Sequence, residues 1–454
     1  MRFDIRRATA VGAALVALAC SAPPPTAGDT TTGATASGDA SAAAADALVA
    51  QWVEAERIPG AVLLISRDGK VTFDKAYGFA QRYEYGIGEY GAAAAGETRP
   101  DALRRLDPPL PMGTATVFDL ASVTKVMATT FAVMLLVDEG ALELDAPVSR
   151  YLPDFGTAAT DGDGAAAGPP GKRDITLREL LTHRAGLSQW QPIYYSADDA
   201  DDAYTFIRDF PLAWAPGAGR HYSDLGFMLL GILVQKVSGQ SLDSFLNERL
   251  YGPLGLSATG FRPVASGSEA STSASGSTAG RFAATSHGNP FEQHMVHEPD
   301  FGYDIDVDPD SWDGWRHYTL VGEVNDGNAF HAFGGVAGHA GLFSTAADLQ
   351  VLLQLLLNRG EYGGTRYLSA ATVDEFLTSA GDGQALGWQV PEYLPAGSFA
   401  HPGFTGTYVA GIPAQDTAIV LLTNRQNGGL DEEGQYPNLG ELQREVARAV
   451  TGTR

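Results

Sequence analysis

One cysteine in 454 residues excludes a disulfide framework, so the core alone must hold the fold. Positive charge is also scarce: 30 Lys plus Arg stand against 54 Asp plus Glu, a formal net charge of −24 that would repel nucleic acid and anionic membrane surfaces. Nucleic-acid binding is all but excluded, and the acidity reads as solubility in a salty or extracytoplasmic setting. Outside the N-terminal 20 residues no apolar run approaches membrane length. Gly-x-Ser-x-Gly, the nucleophile elbow of α/β-hydrolases, is missing. The glycines at 334, 335, 338 and 341 lack the Gly-Lys-Ser/Thr ending of a phosphate loop, which leaves tight backbone packing as their reason. His294 and His297 fit no zinc spacing, and Asp304, Asp306, Asp308 and Asp310 lack the glycine of a calcium loop. That stretch reads as a solvated loop, and no metal or other cofactor is expected. There is no internal repeat.

What is present begins with 44% hydrophobic residues, enough for a substantial core. Residues 1–20 read as a signal peptide: Arg2, Arg6 and Arg7 precede an apolar run from 8 to 19, and Cys20 follows Ala17-Leu18-Ala19 as at a bacterial lipoprotein processing site. Lipidation of Cys20 is the expectation, an ordinary signal peptide cut nearby the alternative. Residues 21–44, rich in Pro, Thr, Ala, Gly and Asp, read as a disordered tether, and low-complexity patches around 156–171 and 265–280 as surface insertions. Residues 45–454 then form one domain. Asp68-Gly69 between two apolar runs predicts a hairpin over 61–77. Helices are predicted over 122–139, 176–182, 223–238, 241–250, 345–358 and 439–450, the fifth with a capping-box pattern of Thr345 and Asp348. Strands are predicted near 384–390, 405–412 and 417–423. Strands at both ends with helices between imply an α/β (α+β) fold: an antiparallel sheet from the N- and C-terminal segments, flanked by helices, with a mainly helical region inserted.

Chemistry concentrates at Ser122-Val123-Thr124-Lys125, where a polar loop turns into an apolar helix. Residues three apart on a helix share a face, so the Lys125 amine can reach the Ser122 hydroxyl and take its proton if held neutral. Val126, Ala128, Phe131, Met134, Leu135 and Leu136 make that helix apolar nearly all round, as for one buried in a large core, so an exposed pair is not expected. Ser122 also falls in the first turn, where free amides favour a developing anion.

Two further segments join the first: Tyr222-Ser223-Asp224 at a helix start and His401-Pro402-Gly403-Phe404 at a late strand. In this order the three resemble the serine hydrolases of the β-lactamase and penicillin-binding superfamily, most closely class C-related members and family VIII esterases. The flanking Phe118-Asp119-Leu120-Ala121, Leu180-Leu181-Thr182-His183, Gly338-His339-Ala340-Gly341 and Gly403-Phe404-Thr405-Gly406-Thr407 agree, and the likeness covers roughly residues 45–450. It implies an acyl-enzyme on Ser122 with Lys125 as base, Tyr222 passing the proton to the leaving group, and His401 orienting Tyr222. The amides of Ser122 and Phe404 would form the oxyanion hole, and Asp224 and Gly403 would line the substrate cleft; Asn325 and Asp326, in the loop before Gly334, are read from their position as lining it too. Two departures matter. Asp224 replaces the usual Asn and would hold Lys125 charged unless it points away, and His401-Pro402 replaces the Lys and hydroxyl that grip the carboxylate of β-lactams. An exported esterase or amidase acting on a small-molecule ester or amide is favoured. A peptidoglycan D-amidase or DD-carboxypeptidase, a weak β-lactamase, and a catalytically silent scaffold are the alternatives. His183 and His339 are read as holding backbone groups.

Overall fold

The computed structural model describes residues 36–85, 103–157, 171–262, 280–303, 305 and 307–453. The signal peptide 1–20, Cys20, Asp304, Asp306, most of the tether 21–44 and most of the two low-complexity patches lie outside the described residues.

Helix α1 (Ala36–Glu54) opens the described chain and leads into strands β1 (Gly60–Arg67), β2 (Lys70–Tyr85) and β3 (Leu103–Pro111). Residues 36–44, whose composition reads as tether, are therefore helical, with Ala42 and Ala45 packed under the sheet. The helical middle contains α2 (Thr130–Asp138), α3 (Asp224–Ser238) and α4 (Ala346–Leu357). Strands β4 (Phe399–Pro402), β5 (Thr407–Ile412) and β6 (Thr417–Thr423) and helix α5 (Gly440–Thr451) complete the chain. The six strands form one antiparallel sheet in the order β4-β5-β6-β1-β2-β3, so the first strand pairs with the last, Ala61 opposite Thr423 through Arg67 opposite Thr417.

Both faces of that central pair are buried, which is why β1 reads as a continuous apolar run and not as an alternation. Ala61, Leu63 and Ile65 meet Leu421 and Ala410 beneath α1 and α5, whereas Val62 and Leu64 meet Val420, Leu422 and the Leu-rich α4 on the other face. Each fully buried Val, Leu or Ile contributes roughly 1.5–3 kcal/mol, against at most about 1 kcal/mol for a surface ion pair. The sheet centre therefore joins the two ends of the domain. At the β1–β2 turn Asp68 and Gly69 take φ of 48° and 72°, the two positive values of a type I′ turn.

The expected helix 122–139 is less regular than its pattern implies. It starts as a 3₁₀ turn (Ala121–Val123), passes through a π turn (Lys125–Thr129) and becomes α-helical only at Thr130. Two outside groups take carbonyl and hydroxyl partners there: the Tyr251 hydroxyl donates to the Met127 carbonyl at 2.8 Å, and Thr129 Oγ1 donates to the Gly338 carbonyl at 2.6 Å. Residues 121–138 together are long and apolar enough to cross a membrane, more than their sequence suggested, but they lie inside the core, with Val123, Val126, Phe131 and Met134 fully buried.

Ser223 caps α3 by accepting the Gly226 amide at 3.2 Å, and Gly239 ends it at φ 72°. At α4 Thr345 accepts the Asp348 amide, but the Asp348 carboxylate turns to Ala258 and Thr259, so only half the expected capping box forms. The full box is at Thr176 and Glu179. The strand expected near 384–390 is a series of turns, because Gly381, Gly383 and Gly387 all take positive φ; what remains are isolated bridges, Gln384 to Gly381 and Gln389, and Gln389 to Ala400.

Candidate active site

Ser122 Oγ accepts a hydrogen bond from Lys125 Nζ at 3.0 Å. What sets this pair is the residue before it. Ala121 sits at φ 44°, a value that L-residues adopt only when the surroundings over-determine them. Its amide donates to Asp119 Oδ1 at 2.9 Å, and the turn between β4 and β5 laces onto the two residues before Ala121: Thr405 Oγ1 donates to the Asp119 carbonyl at 2.7 Å and Thr407 Oγ1 to the Leu120 carbonyl at 2.9 Å. Gly403 makes this possible, because a Cβ there would lie 2.1 Å from Thr407 Oγ1 and 2.4 Å from the Leu120 carbonyl oxygen. Gly403, expected to line the cleft, thus also owes its identity to packing.

Lys125 is fully buried. Its Nζ also donates to the His339 carbonyl at 3.2 Å and lies 2.6 Å from Asp224 Oδ1. Asp224 therefore does not point away. Burial drives Lys125 toward neutrality, but the Asp224 carboxylate and the Tyr222 phenol outweigh it and leave its pKa above the usual lysine value. The resting lysine is an ammonium. Helix α3 approaches closely enough to bring Asp224 here because Gly231 and Gly338 face each other: a Cβ on Gly338 would lie 2.0 Å from the Phe227 carbonyl.

Tyr222 projects from the turn before α3, with Lys125 Nζ 4.9 Å from its ring centroid and its hydroxyl in reach of both Lys125 and Ser122. His183 packs on that ring at 4.5 Å, and its Nδ1 accepts the Ser223 amide at 3.1 Å. His339 donates through Nε2 to Asp326 at 2.9 Å. His183 thus holds a backbone group, as its sequence context implied, whereas the ring of His339 holds a side-chain carboxylate. His401 lies 6.2 Å from the Tyr222 ring and its Nδ1–H donates to the Pro402 carbonyl at 2.8 Å. Burial and the nearby Lys125 charge push His401 down to about 3, so it is neutral.

Ser122, Tyr222, His401, Gly403 and Phe404 line one cleft of about 410 Å³. Asn325 does not join them. It is buried with its amide group engaged: Nδ2 donates to Ser286 Oγ at 2.5 Å, Oδ1 accepts from Gln426 at 3.2 Å, and its backbone N–H donates to Asp119 Oδ2 at 2.6 Å. It braces Asp119, which braces Ala121. Burial also pushes the Asp119 carboxyl up to about 6. Sequence reasoning passed over several lining residues, among them Gln389, Arg425, Asn438 and Gln443. Arg425 donates twice to the Phe404 carbonyl, at 2.9 and 2.6 Å, and once to the Pro437 carbonyl at 2.7 Å, and so fixes the Phe404 peptide. The one available signal was an arginine directly after the last buried strand.

A nucleophile, an amine, a phenol and a late-strand turn around one cleft agree with the Beta-lactamase family model, which matches residues 45–444. The chain belongs to the Beta-lactamase family. This is a family of serine hydrolases, and its fold of a main antiparallel sheet with helices is the one described above. The chain is 32% identical over 406 residues to an N-acetylmuramyl-L-alanine amidase of Bacillus subtilis (strain 168), covering 85% of this chain and 82% of that protein. It is 31% identical over 416 residues to a putative D-alanyl-D-alanine carboxypeptidase of Escherichia coli (strain K12), covering 87% and 85%. Among solved structures it is similar in fold to EstCE1, a hydrolase with promiscuous acyltransferase activity (TM-score 0.61, 23% identity, 92% of this chain and 100% of that one). A class C beta lactamase from Rhodobacter sphaeroides is similar as well (TM-score 0.56, 21% identity, 90% and 98%).

Proposed function

We propose that this family member cleaves an amide or ester through an acyl-enzyme on Ser122. The 3.0 Å contact between Ser122 Oγ and Lys125 Nζ inside the cleft carries this reading. In the active fraction Lys125 has lost its proton and takes that of Ser122, and the oxygen attacks the carbonyl carbon. The oxyanion is met by the amides of Ser122 and Phe404. Support comes from their neighbours, which are already engaged: Val123 N–H donates to Leu120 O at 3.0 Å and Gly403 N–H to Thr407 O at 2.7 Å. Tyr222 then passes the proton from Lys125 to the leaving nitrogen or oxygen as the bond to it breaks, and water releases the acyl group by the reverse proton path.

The names of the two relatives favour a substrate from the peptide part of the cell wall. His401 and Pro402 favour a second reading, a neutral ester: a neutral histidine and a proline supply neither the charge nor the hydroxyl that hold a β-lactam carboxylate. Consistent with a cell-wall substrate, we place the protein outside the cytoplasm, tethered through a lipidated Cys20; the mass of the mature N-terminal peptide tests this.

Labelling by a fluorophosphonate, lost in Ser122→Ala, tests the chemistry. A folded wild type that stays unlabelled would point to a silent scaffold. Turnover of a D-Ala-D-Ala peptide against a short nitrophenyl ester separates the two substrate readings.

A further inference from the structure

A groove of about 1100 Å³, more than twice the volume of the Ser122 cleft at about 410 Å³, has no part in the chemistry above. It adjoins the catalytic residues through its floor: the Ser188 carbonyl accepts from Ser223 Oγ at 2.7 Å and the Gln189 carbonyl accepts the Asp224 amide at 2.9 Å. A ligand lying in it would therefore reach the far side of the Lys125 partner, Asp224.

Its walls are rings held in fixed orientations. Trp214 stacks on His221 with centroids 3.7 Å apart and planes 1° apart, so one indole face is covered and the ring cannot turn. Phe206 and Phe210 stack at 5.0 Å, and Trp190 meets Tyr303 edge-on at 6.0 Å. Between the rings stand hydrogen-bonding groups: Ser188, Gln189, Gln191, Thr205 and Asp202. Asp202 is exposed and forms no ion pair among the described residues. No lysine or arginine is among the described residues that line the groove.

Each property removes a ligand class. With the carboxylate of Asp202 free of any ion pair among the described residues, and that of Asp209 held by Arg208 at 2.8 Å, the groove offers no unpaired cation to phosphates and acidic chains. With hydroxyl, amide and carboxylate groups spread between the rings, it would leave polar groups unpaired under a lipid tail. A sugar ring meets both demands: its C–H face lies flat on an aromatic face, and its hydroxyls and acetamido groups reach the amide and carboxylate groups at the rim. The volume, at the upper end of pockets that take drug-sized ligands, suits more than one such ring.

We propose that the groove formed by Trp214, Trp190, Tyr303, Phe206 and Phe210 binds an uncharged oligosaccharide beside the catalytic cleft. That this sugar is part of the molecule hydrolysed rests on the acyl-serine reading above; binding itself does not.

The test titrates soluble β-1,4-linked N-acetylglucosamine oligomers into the full chain and into Ser122→Ala, reading tryptophan fluorescence. A saturable change is expected in both, weakened roughly tenfold or more by Trp214→Ala. Asp202→Ala, at an exposed position that cannot unfold the protein, should weaken binding several-fold, and unfolding midpoints check the Trp214 variant. Absence of a saturable change, or affinity untouched by both variants, overturns the proposal; so does tighter binding of a sugar-free D-alanyl peptide, which would make this a peptide site. Fluorophosphonate labelling without sugar binding removes the groove alone, whereas sugar binding without labelling removes the hydrolase reading alone.

Discussion

Lys125 Nζ and Asp224 Oδ1 meet at 2.6 Å with the lysine wholly out of water. A charged amine cannot accept the serine proton, so in the proposed mechanism this pair would set the pH at which turnover rises. Asp224→Asn removes the leading charge that holds the proton on Lys125, while burial still drives it off. The rising limb of kcat/KM should therefore move to lower pH by at least about one pH unit, which is about 1.4 kcal/mol. The profile of nitrophenyl butyrate turnover between about pH 6 and 10 checks this; an unmoved limb would show that Lys125 is not the base.

His401 is neutral throughout the working range, with its Nδ1–H given to the Pro402 carbonyl and its Nε2 buried without a partner among the described residues. The rate profile should accordingly carry no ionisation that belongs to His401: any limb near the ordinary histidine value of about 6.5 should persist unchanged in His401→Gln, as one from Asp119, pushed up to about 6, would. An acid limb there that vanished in the variant would contradict the buried, neutral imidazole.

Gly403→Ala puts a methyl 2.4 Å from the Leu120 carbonyl oxygen, a position no loop movement of a few tenths of an ångström accommodates. The loop must back away from Leu120, taking Phe404 with it. The expected result is a loss of about a hundredfold or more in kcat with a stability cost of about 1–3 kcal/mol, measured by turnover and urea titration. Near-normal kcat would remove Phe404 from the oxyanion site.

Glu292 is a half-buried acid whose oxygens receive the Gly327 amide at 2.8 Å and the Tyr194 hydroxyl at 3.3 Å. Burial, aided by the charge of Asp326, pushes its carboxyl up to about 8, so the fold binds its proton more tightly than the unfolded chain does. Its contribution to stability is then complete below the ordinary value of 4.5 and is lost as pH rises toward 8. Between about pH 5 and 8 the unfolding temperature of the wild type should fall by several degrees relative to Glu292→Gln, in which no proton can leave. Parallel curves would place an ordinary carboxylate there.

Much of this was legible in the sequence where local chemistry decides. Asp68-Gly69 specifies its own turn, Ser223 and Thr345 cap the helices they precede, and the strand expected at 417–423 is found there because an apolar run between two turns has few other uses. Ser122, Lys125, Tyr222 and His401 were legible only as an ordered set. What escaped depends on distant partners. Nothing in Ala121 announces a positive φ, since the groups that impose it include Thr405 and Thr407, 286 and 287 residues from their acceptors. Asn325 looked like a cleft residue because polarity alone does not tell a ligand contact from a buried brace. The direction of Asp224 was likewise undecided until Gly231 and Gly338 brought α3 against the Lys125 loop.

The pairing of β1 with β6 has a consequence for biosynthesis. Ser122 and Lys125 are translated well before the turn carrying Phe404 and the strand that covers β1: Thr407, which holds the Leu120 carbonyl, follows it by 287 residues. A nascent polypeptide thus carries the Ser122–Lys125 pair before it has the strands that close the cleft around it, and the cleft comes into being only once residues 399–423 have been added.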